Sequence, residues 1–327
     1  MDPGKRKTAV AWLSVVSNTT LVVLKLIVGL LIGSISVMSE AIHSGVDLVA
    51  AVIALLAVRT SGKPADQEHP FGHGKAENIS GTIEAILIFV AAAWIVYEAV
   101  KKIVYPHALE EPGWGILVMA ISAGANLAVS QLLFKVARQT DSVALEADGW
   151  HLRTDVYTSA GVMGGLGLIW IGERLAPGLG DWWHLVDPVA ALVVAALILK
   201  AAYHLTVTSA RDLMDVSLPE EEAQIKEVLR SFVPALHGYH RLRTRKAGAI
   251  RFVDFHIFVP GTMSVEDSHR LAHDISQKIQ KQLAGTSVTV HVEPCTGNCG
   301  HGCLEGCLLT EAQRDEVRRT QQFWQDG

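Results

Sequence analysis

The chain has 327 residues, half of them hydrophobic and 19% charged, with a net charge of −5. A mean hydropathy of +0.29 excludes an ordinary soluble protein, and the mild negative charge gives no support to nucleic acid as a partner. The apolar residues crowd between residue 9 and about residue 210, while 215–327 reads as a soluble segment. One membrane domain followed by one soluble domain is the expected organisation.

Met1 to Lys7 is basic and leads into an apolar run too long for a cleaved signal sequence, which predicts a retained first span. Six apolar segments can be drawn, roughly 9–33, 35–58, 79–104, 113–137, 147–171 and 187–209. Each is near the ~20 residues that a helix needs to cross a bilayer. Gly33-Ser34 separates the first two, Pro106 and Pro112 bracket the turn before the fourth, and Pro177, Gly178 and Gly180 break the chain after the fifth. An even number of spans puts both termini on one side. Lys5, Arg6, Lys7, Arg59, Lys63, Lys75, Lys135 and Arg138 fall on that side, against Lys101, Lys102 and Arg174 opposite. The positive-inside rule therefore predicts cytoplasmic termini and a cytoplasmic soluble domain, in an integral protein of the cell (inner) membrane. Gly29, Gly45, Gly124 and Gly161 are expected at close helix contacts. Asn18, Glu84, Asn126 and Gln131 are further polar residues in the spans, while Asp148 and His204 are expected near the cytoplasmic end within reach of water.

Two His-x-x-x-Asp pairs, His43/Asp47 and His151/Asp155, lie inside the second and fifth apolar segments. Four-residue spacing puts both side chains of a pair on one helix face. Each ionisable residue at mid-bilayer costs roughly 2.5–3.5 kcal/mol on insertion scales. Two unrelated interhelical contacts are the plain alternative, but the repeat of order and spacing favours a common partner. Two imidazoles and two carboxylates make a four-coordinate set for Zn²⁺ or a similar ion.

After Ser217 the pattern reads helix, strand, strand, helix, strand. Ser217 is expected to cap a helix opened by Pro219 and three glutamates. Ser264 opens a second helix. Residues 249–259 alternate, with Val253, Phe255, Ile257 and Val259 on one face and His256 on the other. Within 287–293 the valines take one face and His291 and Glu293 the other. His256, His291 and Glu293 thus share the far face of one small sheet, as a second metal site or as an ordinary polar face. All four cysteines, Cys295, Cys299, Cys303 and Cys307, fall in 295–307 with His301 between them. Soft-metal binding, a redox-labile segment and a disordered tail are the readings open there.

The segments MSEAIHSGVD (38–47), HPFGHGKAE (69–77), EADGWHLRTD (146–155) and RLRTR…FVDFHI (241–257) resemble those of the cation diffusion facilitator family. The resemblance runs from about residue 9 to residue 294. It implies a homodimeric antiporter that exports divalent metal in exchange for protons. The implied fold is six transmembrane helices plus a C-terminal α+β, ferredoxin-like (metallochaperone-like) cytoplasmic domain. The implied boundaries are 1–213, 214–294, and a Cys-rich extension over 295–327.

Carried over by position, the resemblance assigns His43, Asp47, His151 and Asp155 to the transport site. It assigns Asp66, His69 and His73 to a loop site, and His240, His256, His269, His291 and Glu293 to a binuclear site at the cytoplasmic dimer interface. Lys75 matches one partner of a salt bridge that locks the dimer, with Asp212 or Asp215 as the other. Many bacterial members carry Asp where this chain has His43. The His-Asp-His-Asp set is more like that of zinc-selective members, so Zn²⁺ leads, with Cd²⁺, Co²⁺, Fe²⁺ and Mn²⁺ behind. Glu293 replaces an aspartate of some relatives, and the cysteine-rich extension has no counterpart in the family pattern. A membrane-anchored metal sensor and an intramembrane metalloenzyme are the rivals. The second lacks His-Glu-x-x-His, Gly-x-Ser-x-Gly and Walker signatures.

Overall fold

A computed structural model describes residues 3–32, 35–105, 114–175, 185–297 and 301–325. The chain divides into two units, Met1–Leu213 and Met214–Gly327.

The first unit holds α1 (Pro3–Ile32), α2 (Ile35–Ser61), α3 (Lys75–Val104), α4 (Trp114–Thr140), α5 (Val143–Leu175) and α6 (Val186–Leu213). Among the described residues, α1, α2, α3, α4 and α6 are long and apolar enough to cross a membrane. The sequence pattern predicts six such segments, and α5 is the one that falls short by composition. With 33 residues it is ample in length, but Glu146, Asp148, Arg153 and Asp155 interrupt its apolar run. Its neighbours resolve that conflict, because α5 packs against α2, α3, α4 and α6. Ala144, Leu145 and Leu152 join one apolar cluster with Ala51, Leu55 and Leu133, while Ala147 joins another with Ile88, Ile198 and Leu205. A helix wedged between two clusters can carry charge that a lipid-facing helix cannot. Elsewhere the bundle turns apolar side chains outward, including Leu30 and Leu31 of α1 and Val90 of α3. That is the surface of a protein solvated by lipid.

One end of the bundle is tied by a buried carboxylate. Glu77, wholly buried in the first turn of α3, accepts from Lys7 Nζ at 2.7 Å, Ser61 Oγ at 2.6 Å and Ser142 Oγ at 2.5 Å. The ends of α1, α2, α3 and α5 thereby converge on one group. Asn78 Nδ2 donates to Asp212 Oδ2 of α6 at 2.9 Å at the same end. Of the glycines expected at close contacts, Gly29 and Gly161 are found there, a Cβ on Gly29 meeting Met38 Sδ at 2.9 Å, and Gly81 joins them. A Cβ on Gly81 would meet Ser209 Oγ at 2.6 Å and one on Gly161 would meet Val194 Cγ2 at 2.6 Å, whereas Gly45 and Gly124 face open space. Asp148, expected within reach of water, is instead wholly buried, because α5 is enclosed on several sides.

The second unit runs α7 (Pro219–Arg230), β1 (Gly238–Ala247), β2 (Ile250–Pro260), α8 (Val265–Gln282) and β3 (Thr286–Cys295). The sheet order is β1-β2-β3, with β2 antiparallel to β1 and parallel to β3. Val253, Phe255, Ile257 and Val259 are buried with Ile225, Val228 and Leu229 of α7 and Ile275 and Ile279 of α8. The cap of α7 is Leu218 rather than Ser217, since Pro219 takes the first helical position and needs no N–H partner. Ser264 does cap α8, its hydroxyl accepting from Asp267 N at 3.1 Å. Beyond β3 lie a short α9 (His301–Leu304) and α10 (Glu311–Gln325).

Candidate metal sites

The two His-Asp pairs meet crosswise. His151 Nε2 donates to Asp47 Oδ1 at 3.2 Å, and His43 Nε2 lies 3.9 Å from Asp155 Oδ1. One ligand atom from each of His43, Asp47 and Asp155 falls within 4.8 Å of the others, a spread that a single ion can draw together. His151 joins through Asp47 rather than lying inside that triplet. Asp47 and His151 are buried, while the His43 side chain is 52% exposed. His43, Asp47 and Asp155 line a cavity of about 490 Å³, together with Lys25, Glu40 and Asn126. Lys25 was not singled out by the sequence pattern. Its Nζ, buried in α1, donates to Ser44 Oγ at 2.8 Å and lies 3.3 Å from Glu40 Oε2. The available signal was one lysine inside an apolar run, with one glutamate three residues before His43.

A second cluster lies between α2 and α3. His69 Nδ1 and His73 Nε2 each approach Asp66 at 3.3 Å, on different carboxylate oxygens, and the two rings sit 4.3 Å apart. His69 N donates to Asp66 Oδ1 at 2.7 Å. That backbone bond, working against desolvation and aided by the two imidazoles, holds the Asp66 carboxyl below its ordinary value. Gly72, at φ +81°, turns the chain so that His73 folds back onto Asp66.

The third cluster is a row across the sheet. His240 is paired with His256 in the β1–β2 ladder, and His256 with His291 in the β2–β3 ladder. Glu293 accepts from His256 Nδ1 at 2.6 Å and from His240 Nε2 at 3.2 Å, and His291 Nε2 lies 3.8 Å from it. Burial pushes the Glu293 carboxyl up, but the His256 bond and the charges of His240 and His256 outweigh it and leave it below its ordinary value. His240, His256 and Glu293 bring ligand atoms within 4.8 Å of one another.

The two units are each recognisable by sequence. Residues 11–214 match the cation efflux transmembrane domain, and residues 218–295 match the cytoplasmic domain of cation efflux proteins. The chain belongs to the cation diffusion facilitator family. An uncharacterized transporter of a Synechocystis species is 37% identical over 265 residues, covering 80% of this chain and 82% of that protein. The cation-efflux pump FieF of Citrobacter koseri is 31% identical over 294 residues, covering 90% and 94%. The metal-bound C-terminal domain of the CzcD transporter from Thermotoga maritima is 38% identical, covering 23% of this chain and 88% of that one, with a TM-score of 0.23. This facilitator is thus an integral membrane cation-efflux transporter, not an enzyme.

The remaining candidate residues of the facilitator are placed as follows. His269 stands on α8 beside His273, with the rings 6.5 Å apart, and joins none of the three clusters. Asp212 accepts from Asn78, and Asp215 lies 3.6 Å from Arg245 Nη1. Cys299 lies outside the described residues. Cys295 ends β3 and is buried, His301 opens α9, and Cys307 pairs with Gly238 of β1 in an isolated bridge. Among the described residues no cysteine enters a metal-competent cluster. The segment after β3 is instead bonded to the sheet: Tyr239 N donates to Gly306 O at 3.0 Å and Leu308 N to His237 O at 3.0 Å. The α10 helix went unrecognised in the sequence pattern, although Thr310 and Gln313 form a capping box. Thr310 N donates to Gln313 Oε1 at 2.9 Å, and Gln313 N to Thr310 Oγ1 at 3.4 Å.

Proposed function

We propose that this facilitator, as a homodimer with cytoplasmic termini, exports divalent metal ions from the cytoplasm in exchange for protons, with Zn²⁺ as its first substrate. The observation that carries the reading is the crossed contact of His151 with Asp47 and of His43 with Asp155, in a bundle of apolar helices. Two nitrogens and two carboxylate oxygens from two helices suit Zn²⁺, which favours such mixed sets at four positions.

The exchange follows from the same contact. A His–Asp pair at 3.2 Å holds one proton between Nε2 and Oδ1. A metal ion taking both atoms as ligands displaces that proton, and reprotonation from the other side of the membrane expels the ion. The ligands come from α2 and α5, so a relative shift of those helices opens the site to one side and then the other. Asp66, His69 and His73 form an auxiliary loop site. His240, His256, His291 and Glu293, with His269, bind metal in the soluble domain and couple metal level to dimer stability. Lys75 bridges to Asp212 or Asp215 in the dimer.

The test is flux into sealed vesicles holding the purified protein. Zn²⁺ uptake driven by an opposing pH gradient, with Cd²⁺ next in rate, is expected. Uptake that ignores the pH gradient would remove proton exchange from the reading, and no uptake at all would remove transport.

A further inference from the structure

A second cavity, of about 440 Å³, opens between α4 and α5 and is lined by Gln131, Phe134, Lys135, Arg138, Gln139 and Arg153. Three cations and two amides line it, and no carboxylate does. It shares no residue with the crossed site. The turn that joins α4 to α5 lies at the Glu77 end of the bundle, where Ser142 donates to Glu77. Helix side chains lean toward the N-terminus, so Arg153 of α5 reaches back toward that end. Its guanidinium carbon lies 5.5 Å from the centre of the Phe134 ring. That ring is held in place: Trp150 meets it edge-on with centroids 5.3 Å apart, and a Cβ on Gly149 would stand 3.2 Å from it. Arg153 Nε is buried and has no hydrogen-bond partner among the described residues.

A buried guanidinium donor left unmatched is costly, and Lys135 and Arg138 carry no acceptor to offer it. An anion can satisfy all three cations at once. The surface beside the cavity says where that anion comes from. The exposed face of α4 is apolar at Leu117, Ile121 and Leu132 and turns basic at Lys135 and Arg138. With 27 residues, α4 is about 40 Å long, against ~30 Å of hydrocarbon in a bilayer. Its last turns therefore stand at headgroup level, with lipid chains along Leu132. We propose that Arg153, Lys135 and Arg138, with the Gln131 and Gln139 amides, bind the phosphate of an anionic phospholipid. The guanidinium fork of Arg153 suits two phosphate oxygens, and Phe134 fixes its plane. Basic pockets between transmembrane helices take such headgroups by this chemistry. A zwitterionic lipid carries its own ammonium beside the phosphate and gains less from three cations.

The test is native mass spectrometry of the delipidated full-length protein in detergent. It is titrated with phosphatidylglycerol and, separately, with phosphatidylcholine of the same acyl chains. The parent should bind its first phosphatidylglycerol more tightly than phosphatidylcholine. Arg153→Gln should weaken phosphatidylglycerol by at least about tenfold, as for loss of one charge-assisted hydrogen bond, and leave phosphatidylcholine unchanged. Lys101→Gln, which removes one charge at the opposite end of the bundle, should keep the parent's preference. Equal binding of the two lipids by the parent would overturn the site, as would unchanged phosphatidylglycerol affinity in Arg153→Gln. An equal loss in Lys101→Gln would overturn it in favour of diffuse surface charge. Displacement of the lipid by millimolar inorganic phosphate would overturn the lipid as occupant and make the cavity a site for free phosphate. If Arg153→Gln does not elute as the parent does, Lys135→Gln combined with Arg138→Gln decides by the same comparison, since both side chains are exposed.

Discussion

His151 of α5 hydrogen-bonds Asp47 of α2 across 104 positions of chain, while Asp155, its neighbour one turn on, faces His43 of α2. Neither helix therefore completes its own pair. Sliding α5 along α2 by a single turn would break both contacts together, which makes the relative position of two helices the variable that controls the site.

Removing one ligand should stop the cycle without unfolding the chain. Asp155→Ala is expected to lower metal flux into vesicles by more than about 100-fold, beyond the 10–100-fold typical of losing a group that only supports a ligand. Size-exclusion elution should not change. Near-parental flux would remove α5 from the site.

The choice of metal should follow the donor atom at position 43. His43→Asp replaces a softer nitrogen donor with a harder oxygen, so discrimination between Zn²⁺ and Cd²⁺ should change. A competition flux assay reads this directly. Intact transport with an unchanged ratio would place selectivity in another part of the molecule.

The sheet cluster predicts an acid limb in the stability of the second unit. Glu293 titrates below its ordinary value of 4.5 when folded. The unfolded chain therefore binds this proton more readily, and the contribution of Glu293 is complete above 4.5 and is lost as pH falls through its lower folded value. Thermal melts of metal-free protein from pH 6 downward should show that loss, and Glu293→Gln should flatten it. Parallel curves for parent and variant would mean that the histidine contacts do not bear on folding.

Truncation after Pro294 tests whether the segment beyond β3 is an appendage. It removes the partners of Tyr239 N–H and His237 C=O, together with the buried Cys295 and Leu309. Each buried group left unmatched costs about 1–3 kcal/mol. The second unit should melt at a lower temperature, while flux at saturating Zn²⁺ changes little. An unchanged melting temperature would show that these bonds contribute nothing net.

Local chemistry was legible in the residues alone. The period of apolar residues marks every long helix of the first unit, because lipid admits few alternatives to a long apolar helix. Alternation from Ile250 to Pro260 assigns Phe255 to the core and His256 to the opposite face, because side chains in a strand change sides at each residue. Four-residue spacing puts His43 with Asp47 and His151 with Asp155 on common faces for the same kind of reason. What one helix's period cannot contain is how it meets its neighbours. The crossing of the two pairs, the burial of Asp148, the Lys25–Glu40 contact and the knot at Glu77 each join residues from different helices. Those contacts arise when the helices pack against one another, and only that packing decides which charges share a cavity and which are shut away from it.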